Sequence, residues 1–173
     1  MPELIPVLDK DAIAQKVADV AKKISSDYAD RNLVLIGVLK GAFVFLADLI
    51  RQLTLQRFTI DFVRVASYGS GSESSGDVRI LKDIETDISG KDVLIVEDIV
   101  DTGLTMAYLV QKLKLRQPRT IKICTFIDKL ERRQTDLQPE YVCLQVDQGF
   151  IVGYGLDYAE DYRHLPGLYH IKM

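Results

Sequence analysis

The sequence predicts an α/β domain with a mostly parallel central sheet flanked by helices. Apolar runs of strand length alternate along the chain with segments whose apolar residues recur at helical spacing. At least three of these runs are continuously apolar, which is typical of strands buried on both faces. The 173 residues show neither a linker nor an internal repeat, so residues 1–173 are expected to form one domain.

The elements are predicted in chain order. Apolar residues at helical spacing predict a helix over 9–28 with Asp9 as its N-cap, and "LVLIGVL" (33–39) predicts a buried strand. A turn at Gly41 then leads into a second helix. Strands are expected at 58–67, at "VRILKDI", at "DVLIVEDI", at "TIKICTFIDK", at "YVCLQVD" and at "GFIVGYG", with a helix over 104–116. The stretch "SYGSGSESSGD" (67–77) is rich in Gly and Ser, and it predicts a mobile loop between two strands.

Composition and charge narrow the function classes. The net charge of −3, with 22 scattered Lys and Arg, does not favour nucleic acid as a partner. The longest apolar runs are too short to span a bilayer, and the N-terminus lacks a signal-peptide pattern, so we expect no membrane association and a cytoplasmic location. Cys124 and Cys143 lie in apolar strand contexts, which predicts two buried, reduced thiols.

Polar residues follow the predicted strands directly, where parallel sheets bind ligands. "VLIVEDIVDTGLTM" (93–106) places Glu97, Asp98 and Asp101 before a Thr-Gly-x-Thr turn that opens a helix. Such a turn can hold a phosphate through its free N–H groups. Taken alone, the turn is explained more simply as a helix cap by Asp101 or Thr102. The preceding acids change this, because carboxylates bind vicinal hydroxyls and Mg²⁺, and a phosphate site beside a diol site fits a ribose 5-phosphate.

The same segment resembles the phosphoribosyl-pyrophosphate motif of the type I phosphoribosyltransferases. Further resemblance is to the bacterial-type hypoxanthine-guanine phosphoribosyltransferases, and it covers residues 6–163. "LIGVLKGAFVF" resembles their pyrophosphate loop, "VASYGSGSESSGDVRI" their flexible catalytic loop, and "FIDK" with "GFIVGYGLDYAEDYR" their purine-binding segments. GxxxxGK[ST] and GxGxxG motifs are absent from the sequence.

This resemblance implies a fold and a reaction. The fold would be the type I phosphoribosyltransferase fold, with a small hood formed by terminal segments. The reaction would transfer the 5-phosphoribosyl group from phosphoribosyl pyrophosphate to N9 of hypoxanthine or guanine, giving IMP or GMP and pyrophosphate. Mg²⁺ would be the cofactor, and the assembly a homodimer or homotetramer.

The resemblance also implies roles at the sugar and phosphate end of the site. Asp101 would be the general acid or base at purine N7. Glu97 and Asp98 would hold the ribose hydroxyls, directly or through Mg²⁺. The 5′-phosphate would be bound by Asp101, Thr102, Gly103, Leu104 and Thr105, and pyrophosphate by Lys40, Gly41 and Arg163.

At the purine end, Lys129 would donate to the exocyclic O6, Phe150 would stack on the ring, and Ile151 would meet the base through its backbone. Asp157 would bind a second Mg²⁺ and lie near the purine 2-position. Ser67 and Tyr68 would begin a mobile catalytic loop of about 67–78 that excludes water. Without the family, Lys40 and Lys129 would be read as ordinary surface lysines.

Two alternatives stay open from the sequence. One is a non-catalytic regulatory protein that binds nucleotides on the same fold. The other is a phosphoribosyltransferase for xanthine or another base. Lys129 and "FIVGYGLDY" favour a 6-oxopurine, but the sequence does not rank hypoxanthine, guanine and xanthine.

Overall fold

The structure is a computed structural model, and it describes residues 2–68 and 77–172. Residues 69–76, which belong to the predicted catalytic loop, lie outside the described residues. In chain order the elements are β1 (Glu3–Leu8), α1 (Lys10–Asp27), β2 (Leu33–Leu39), α2 (Phe43–Gln52), β3 (Phe58–Tyr68), β4 (Asp77–Lys82), β5 (Asp92–Val100), α3 (Leu104–Lys114), β6 (Thr120–Lys129), β7 (Tyr141–Val146), β8 (Ile151–Val152) and β9 (Leu168–Lys172).

The central sheet has six strands in the order β4-β3-β2-β5-β6-β7. All its neighbouring strands are parallel except β4, which runs antiparallel to β3. This confirms the predicted mostly parallel sheet. The carboxyl ends of β2, β5 and β6 therefore open on the same edge, where the polar residues identified from the sequence stand.

Continuous apolar strands are explained by two cores, one on each face of the sheet. On β2, Leu33 and Leu35 pack into the core that includes α1 and α2, whereas Val34 and Ile36 pack into the core that includes α3. Because side chains alternate across a strand, a strand covered on both faces needs apolar residues at every position. The two free cysteines, both buried, lie in this sheet as predicted.

The helices begin where the sequence indicates. Asp9 caps α1 by accepting a hydrogen bond from the Ala12 N–H at 2.8 Å. The last helix, α3, ends at Lys114, two residues earlier than predicted. Among the described residues no helix has the length and apolar character that a membrane crossing requires.

A second, three-stranded sheet in the order β1-β9-β8 forms the expected hood from terminal segments. Its strands pair antiparallel. The predicted strand "GFIVGYG" is ordered as a strand only at Ile151 and Val152, because Gly153, Tyr154 and Gly155 all adopt positive φ. The chain thus turns sharply there and leads the following segment over the carboxyl edge of the central sheet.

Candidate active site

The site begins with two acids near the end of β5. Glu97 is buried, with 8% of its surface exposed, and Asp98 is partly buried. The Asp98 N–H donates to Glu97 Oε1 at 3.0 Å, and the Ile99 N–H donates to Asp98 Oδ1 at 2.7 Å. Burial, together with the neighbouring Asp98 charge, raises the pKa of Glu97 well above its ordinary value, and burial raises the pKa of Asp98. The pair therefore calls for a cation or a hydrogen-bond donor from outside the chain.

The turn after β5 leads into α3, and the first N–H groups of that helix have no partners within the helix. Gly103 takes the N-cap position of α3 with φ +84°, in the left-handed region, and has no side chain with which to cap the helix. Thr102 Oγ1 accepts only a 3.2 Å hydrogen bond from the Leu104 N–H. Of the two caps that the sequence offers, Thr102 therefore supplies one hydrogen bond, whereas Asp101 Oδ1 has no partner among the described residues. A cavity of about 120 Å³ lies against this turn, and its lining includes Glu97, Asp101, Thr102, Gly103 and Thr105.

A second cavity, of about 170 Å³, lies beside the first. Its lining brings together residues from β5, from the end of β6 and from the segment around β8, namely Asp98, Ile99, Asp101, Lys129, Arg132, Gly149, Phe150, Ile151, Leu156 and Asp157. The Lys129 side chain is buried and its Nζ lies 3.8 Å from Glu131. Phe150 is 45% exposed and contacts Tyr158 edge to face, so its ring is open for stacking. Every predicted purine-binding residue lines this one cavity.

Asp101 joins the two cavities, since it lines both of them. Its Oδ1 is buried and has no hydrogen-bond partner among the described residues, while Oδ2 lies 3.7 Å from Arg132. A buried acceptor without a partner is costly. The carboxylate is thus held at the boundary between the cavity at the turn and a mixed apolar and polar cavity, with one acceptor oxygen unused.

The predicted pyrophosphate residues meet at the same edge. A Cβ on Gly41 would overlap the Asp98 carboxylate, so the turn after β2 lies directly against the acids. Lys40 pairs with Glu160 at 2.9 Å, and the Leu39–Lys40 peptide is cis. Arg163 donates to the Gly155 carbonyl at 2.7 Å and lies 3.2 Å from Asp157, whereas its buried Nε has no partner among the described residues.

Ser67 and Tyr68 end β3, where their backbones pair with Val78 and Asp77 of β4. The predicted loop therefore starts from the outer strands of the sheet. Residues 69–76 themselves lie outside the described residues.

The comparisons with known proteins agree with this geometry. Residues 6–159 match the model of the phosphoribosyl transferase domain. The chain belongs to this family. It is 45% identical to the hypoxanthine-guanine phosphoribosyltransferase of Aquifex aeolicus over 168 residues, which cover 96% of this chain and 93% of the relative. Identity to the Bacillus subtilis enzyme of the same name is 44%, covering 92% of this chain and 88% of the relative.

Solved structures give the same result for the fold. A hypoxanthine phosphoribosyltransferase from Staphylococcus aureus superposes with a TM-score of 0.92 at 39% identity, covering 96% of this chain and 90% of that one. A hypoxanthine-guanine phosphoribosyltransferase from Bacillus anthracis also has a TM-score of 0.92, at 44% identity, covering 97% and 99%. The type I phosphoribosyltransferase fold expected from the motif is thereby confirmed.

The residues present fit a divalent cation in part. Glu97 and Asp98 supply carboxylate oxygens whose pKa values are raised by burial, with the Asp98 charge adding to the rise at Glu97. Such hard oxygen donors suit Mg²⁺. Within 2–68 and 77–172, no group of three or more potential ligands converges on one point. Mg²⁺ commonly keeps waters and takes substrate oxygens, so a two-carboxylate site suits a cation that arrives with its substrate.

Sequence reasoning missed three site residues. Glu160, with φ +69°, pairs with Lys40 and lies 3.4 Å from Arg163. Arg132 and Arg133 both follow the end of β6; Arg132 lies 3.7 Å from the Asp101 carboxylate, and Arg133 donates to the Asp101 carbonyl. The adjacent arginines shortly after Lys129 were visible in the sequence, but only the fold shows that they reach the turn after β5.

Proposed function

We propose that this chain is a purine salvage enzyme that transfers the 5-phosphoribosyl group of phosphoribosyl pyrophosphate to N9 of a 6-oxopurine. The observation that carries the proposal is the junction of the two cavities at Asp101, with a phosphate cradle on one side and the Lys129 and Phe150 cavity on the other. Family membership supports the reaction class, and the names of the relatives point to hypoxanthine and guanine. The products would be IMP or GMP and pyrophosphate.

The phosphoribosyl group would lie along the end of β5. Amides of the turn from Asp101 to Thr105 would bind the 5′-phosphate, because the N-terminal N–H groups of α3 have no partners within the helix. Glu97 and Asp98 would accept hydrogen bonds from the ribose hydroxyls. These contacts would direct C1′ towards the second cavity, since Asp98 and Asp101 line it.

The purine would occupy the second cavity. Lys129 would donate to O6, because an ammonium group donates and never accepts. Phe150 would stack on the ring, and the backbone of Ile151 would contact its edge. Asp157 lies at the same cavity, and would approach the 2-position.

In the reaction the C1′–O bond to pyrophosphate breaks with its electron pair, while the N9–C1′ bond forms. The proton on purine N7 then passes to the Asp101 carboxylate, whose buried Oδ1 is free to accept it. Lys40 and Arg163 would neutralise the charge of the departing pyrophosphate. Both side chains are already drawn to one place by Glu160, which substrate oxygens would replace.

Mg²⁺ would be held by Glu97 and Asp98, directly or through the ribose hydroxyls, with Asp157 as the contact to a second ion. When bound, it would neutralise pyrophosphate charge as a Lewis acid. A homodimer or homotetramer and a cytoplasmic location belong to the same proposal, and light scattering with cell fractionation would test them.

Pyrophosphate release measured base by base is the decisive experiment. Phosphoribosyl pyrophosphate and Mg²⁺ are supplied with hypoxanthine, guanine, xanthine or adenine in turn. We expect turnover with hypoxanthine or guanine and little with adenine. Ligand binding without turnover would support the regulatory alternative, and turnover confined to xanthine or adenine would support a different base specificity.

A further inference from the structure

Arg133 makes an unusual set of contacts just outside the two cavities. Its guanidinium group donates five hydrogen bonds, and its side chain is only 12% exposed. Four acceptors are backbone carbonyls and one is a carboxylate. They belong to Asp101 at 3.0 Å, Leu137 at 2.9 Å, Val100 and Lys129 at 3.2 Å each, and Asp128.

Four of these acceptors, all except the Leu137 carbonyl, belong to residues at or next to the end of the hydrogen-bonded pairing between β5 and β6. The last paired residues of β5 and β6 are Val100 and Asp128. Beyond these residues β5 and β6 are no longer paired with each other. β5 leads into the phosphate turn, and β6 ends at Lys129, the proposed donor to the purine. A guanidinium group has a rigid fork of donors, and here that fork ties the two strand ends together after the ladder has ended.

The residues after Arg133 support the turn as well. The Gln134 N–H donates to the Thr102 carbonyl at 2.8 Å. A Cβ on Gly103 would overlap Thr135 Oγ1 and lie 3.2 Å from Arg133 Cδ. Glycine is therefore required at 103 both by its left-handed φ and by this close packing. Residues 133–135 therefore pack directly against the phosphate turn and support its conformation.

Neighbouring Arg132 acts on the same aspartate differently. Its side chain is 39% exposed, lines the purine cavity and approaches the Asp101 carboxylate. Arg133 is buried and holds the Asp101 carbonyl. Arg132 thus lies at the cavity in which the reaction is proposed to occur, whereas Arg133 contacts the backbone that holds Asp101 in place.

We propose that Arg133 is a positioning residue that fixes the phosphate turn relative to Lys129. It thereby sets the separation between the bound phosphoribosyl group and the purine. This inference rests on the proposed function. Because reacting atoms must be aligned closely, a small displacement of one site against the other lowers the rate steeply.

The test compares Arg133 variants with a variant at the other end of the same strands. Arg133→Met keeps the aliphatic stem and removes every donor, and Arg133→Lys keeps the charge but loses the fork. The control is Asp92→Ala, which removes a buried carboxylate at the amino end of β5, eight residues or roughly 26 Å from Val100. Each variant is assayed below its own melting temperature.

Kinetics separate positioning from mere stability. We expect Arg133→Met to lose about 100-fold in kcat/KM, with a lower kcat and a larger rise in KM for phosphoribosyl pyrophosphate than for hypoxanthine. Arg133→Lys should recover less than a tenth of this loss, since one ammonium group cannot span the carbonyls. Asp92→Ala should keep wild-type kcat and KM. If Arg133→Met matches Asp92→Ala in both constants, or if Arg133→Lys is fully active, the positioning role is overturned.

Calorimetric titration with ribose 5-phosphate adds a readout that does not need turnover. Affinity should fall about tenfold or more in both Arg133 variants and remain unchanged in Asp92→Ala. Equal affinity in all proteins would contradict the inference. Wild-type protein that binds ribose 5-phosphate but turns over no base would refute the proposed function instead, while the binding comparison would still decide the role of Arg133. Should Arg133→Met fail to fold, Arg133→Lys decides the question alone.

Discussion

The two ends of β5 contain buried acids in very different surroundings. At the amino end, Asp92 is 2% exposed, accepts a 2.6 Å hydrogen bond from Thr120 Oγ1, and has Arg31 and Arg119 at 3.8 and 3.9 Å. At the carboxyl end, Glu97 is about as buried, but it accepts its backbone hydrogen bond from Asp98 and shares a side-chain hydrogen bond with the same residue, another acid. Burial raises the pKa of both acids, although Arg163 opposes the rise at Asp98. Among the described residues, no salt bridge reaches either Glu97 or Asp98.

The amino end of β5 thus contributes to the fold, and the carboxyl end contributes to the candidate site. Charges at the amino end are satisfied by the protein itself, so that end contributes to folding whether or not a ligand is bound. At the carboxyl end, Asp101 Oδ1 and Arg163 Nε have no hydrogen-bond partner among the described residues, and the pKa values of Glu97 and Asp98 are raised. We expect a ligand to satisfy these groups. Such sites cost stability and gain activity. Substitutions at the two ends should therefore have opposite consequences.

Among substitutions at the two ends of β5, Asp101→Asn at the carboxyl end should change activity most. An amide cannot take the N7 proton, so we expect kcat to fall by about 10²–10⁴-fold, the usual contribution of general acid–base catalysis. Ribose 5-phosphate should still bind, because the turn amides are kept. Steady-state kinetics with hypoxanthine measure the loss, and Asp92→Ala serves as the control that retains kcat. A kcat within tenfold of wild type would remove Asp101 from the chemistry.

Lys129→Ala should alter base choice. Removing the donor to O6 is expected to lower kcat/KM for hypoxanthine and guanine by about tenfold to a hundredfold, from roughly 1–3 kcal/mol of lost hydrogen bonding. Adenine should be affected much less, because its 6-amino group meets the lysine donor to donor. The measurement is kcat/KM for the three bases in both proteins. Equal losses for all three would show that Lys129 does not set specificity.

The sequence predicts some parts of the fold and not others. Strands buried on both faces are apolar throughout, so β2, β5 and β6 were recognised, and residues such as Glu97 and Asp101 stood out because they interrupt that pattern. The sequence does not indicate β1 and β9, since these strands are short and only partly buried, and their pairing joins distant parts of the chain. Local patterns do not record such contacts.

Arg133 illustrates what the sequence could not indicate about the site. It follows an exposed Arg132 in a charged stretch that reads as surface. Its role depends on carbonyl groups of residues some 30 positions earlier, and every residue type has a carbonyl. The predicted catalytic, metal-binding and purine-binding roles remain predictions, although the fold brings their residues to one edge.

Stability without ligands should change with opposite sign at the two ends. Asp92→Ala leaves Arg31, Arg119 and the Thr120 hydroxyl without their acceptor, and should lower the free energy of unfolding by about 1–3 kcal/mol. Glu97→Gln removes a buried charge while keeping an acceptor for the Asp98 N–H, and should raise it. For a chain of this size each kcal/mol corresponds to roughly 2–4 °C in melting temperature.

Denaturation in EDTA measures both changes, and Mg²⁺ supplies the further contrast. Ligands that bind only the folded state stabilise it, so Mg²⁺ with ribose 5-phosphate should raise the melting temperature of wild type and of Asp92→Ala more than that of Glu97→Gln. A destabilised Glu97→Gln protein in EDTA would contradict the idea that this end carries unsatisfied charge.

The pH dependence of stability gives the finest test of the same contrast. Because the pKa of Glu97 is raised on folding, the folded protein holds a proton that the unfolded chain has already released. In the window between the ordinary value of 4.5 and the raised folded value, stability must therefore increase as the pH falls, by up to about 1.4 kcal/mol per pH unit for one proton. Above the folded pKa the full cost of the buried charge is present. Glu97→Gln cannot bind this proton, so its stability should depend less steeply on pH.

The measurement is made between about pH 5.5 and pH 8. Asp61 and Glu160 have lowered pKa values, so their contributions to stability are lost only when the pH falls below their ordinary range, and this pH window excludes that loss. Urea denaturation of wild type and Glu97→Gln in EDTA compares the slopes. Parallel lines for wild type and Glu97→Gln would mean that the acids at the carboxyl end are as well satisfied as Asp92, and the contrast between the two ends would be lost.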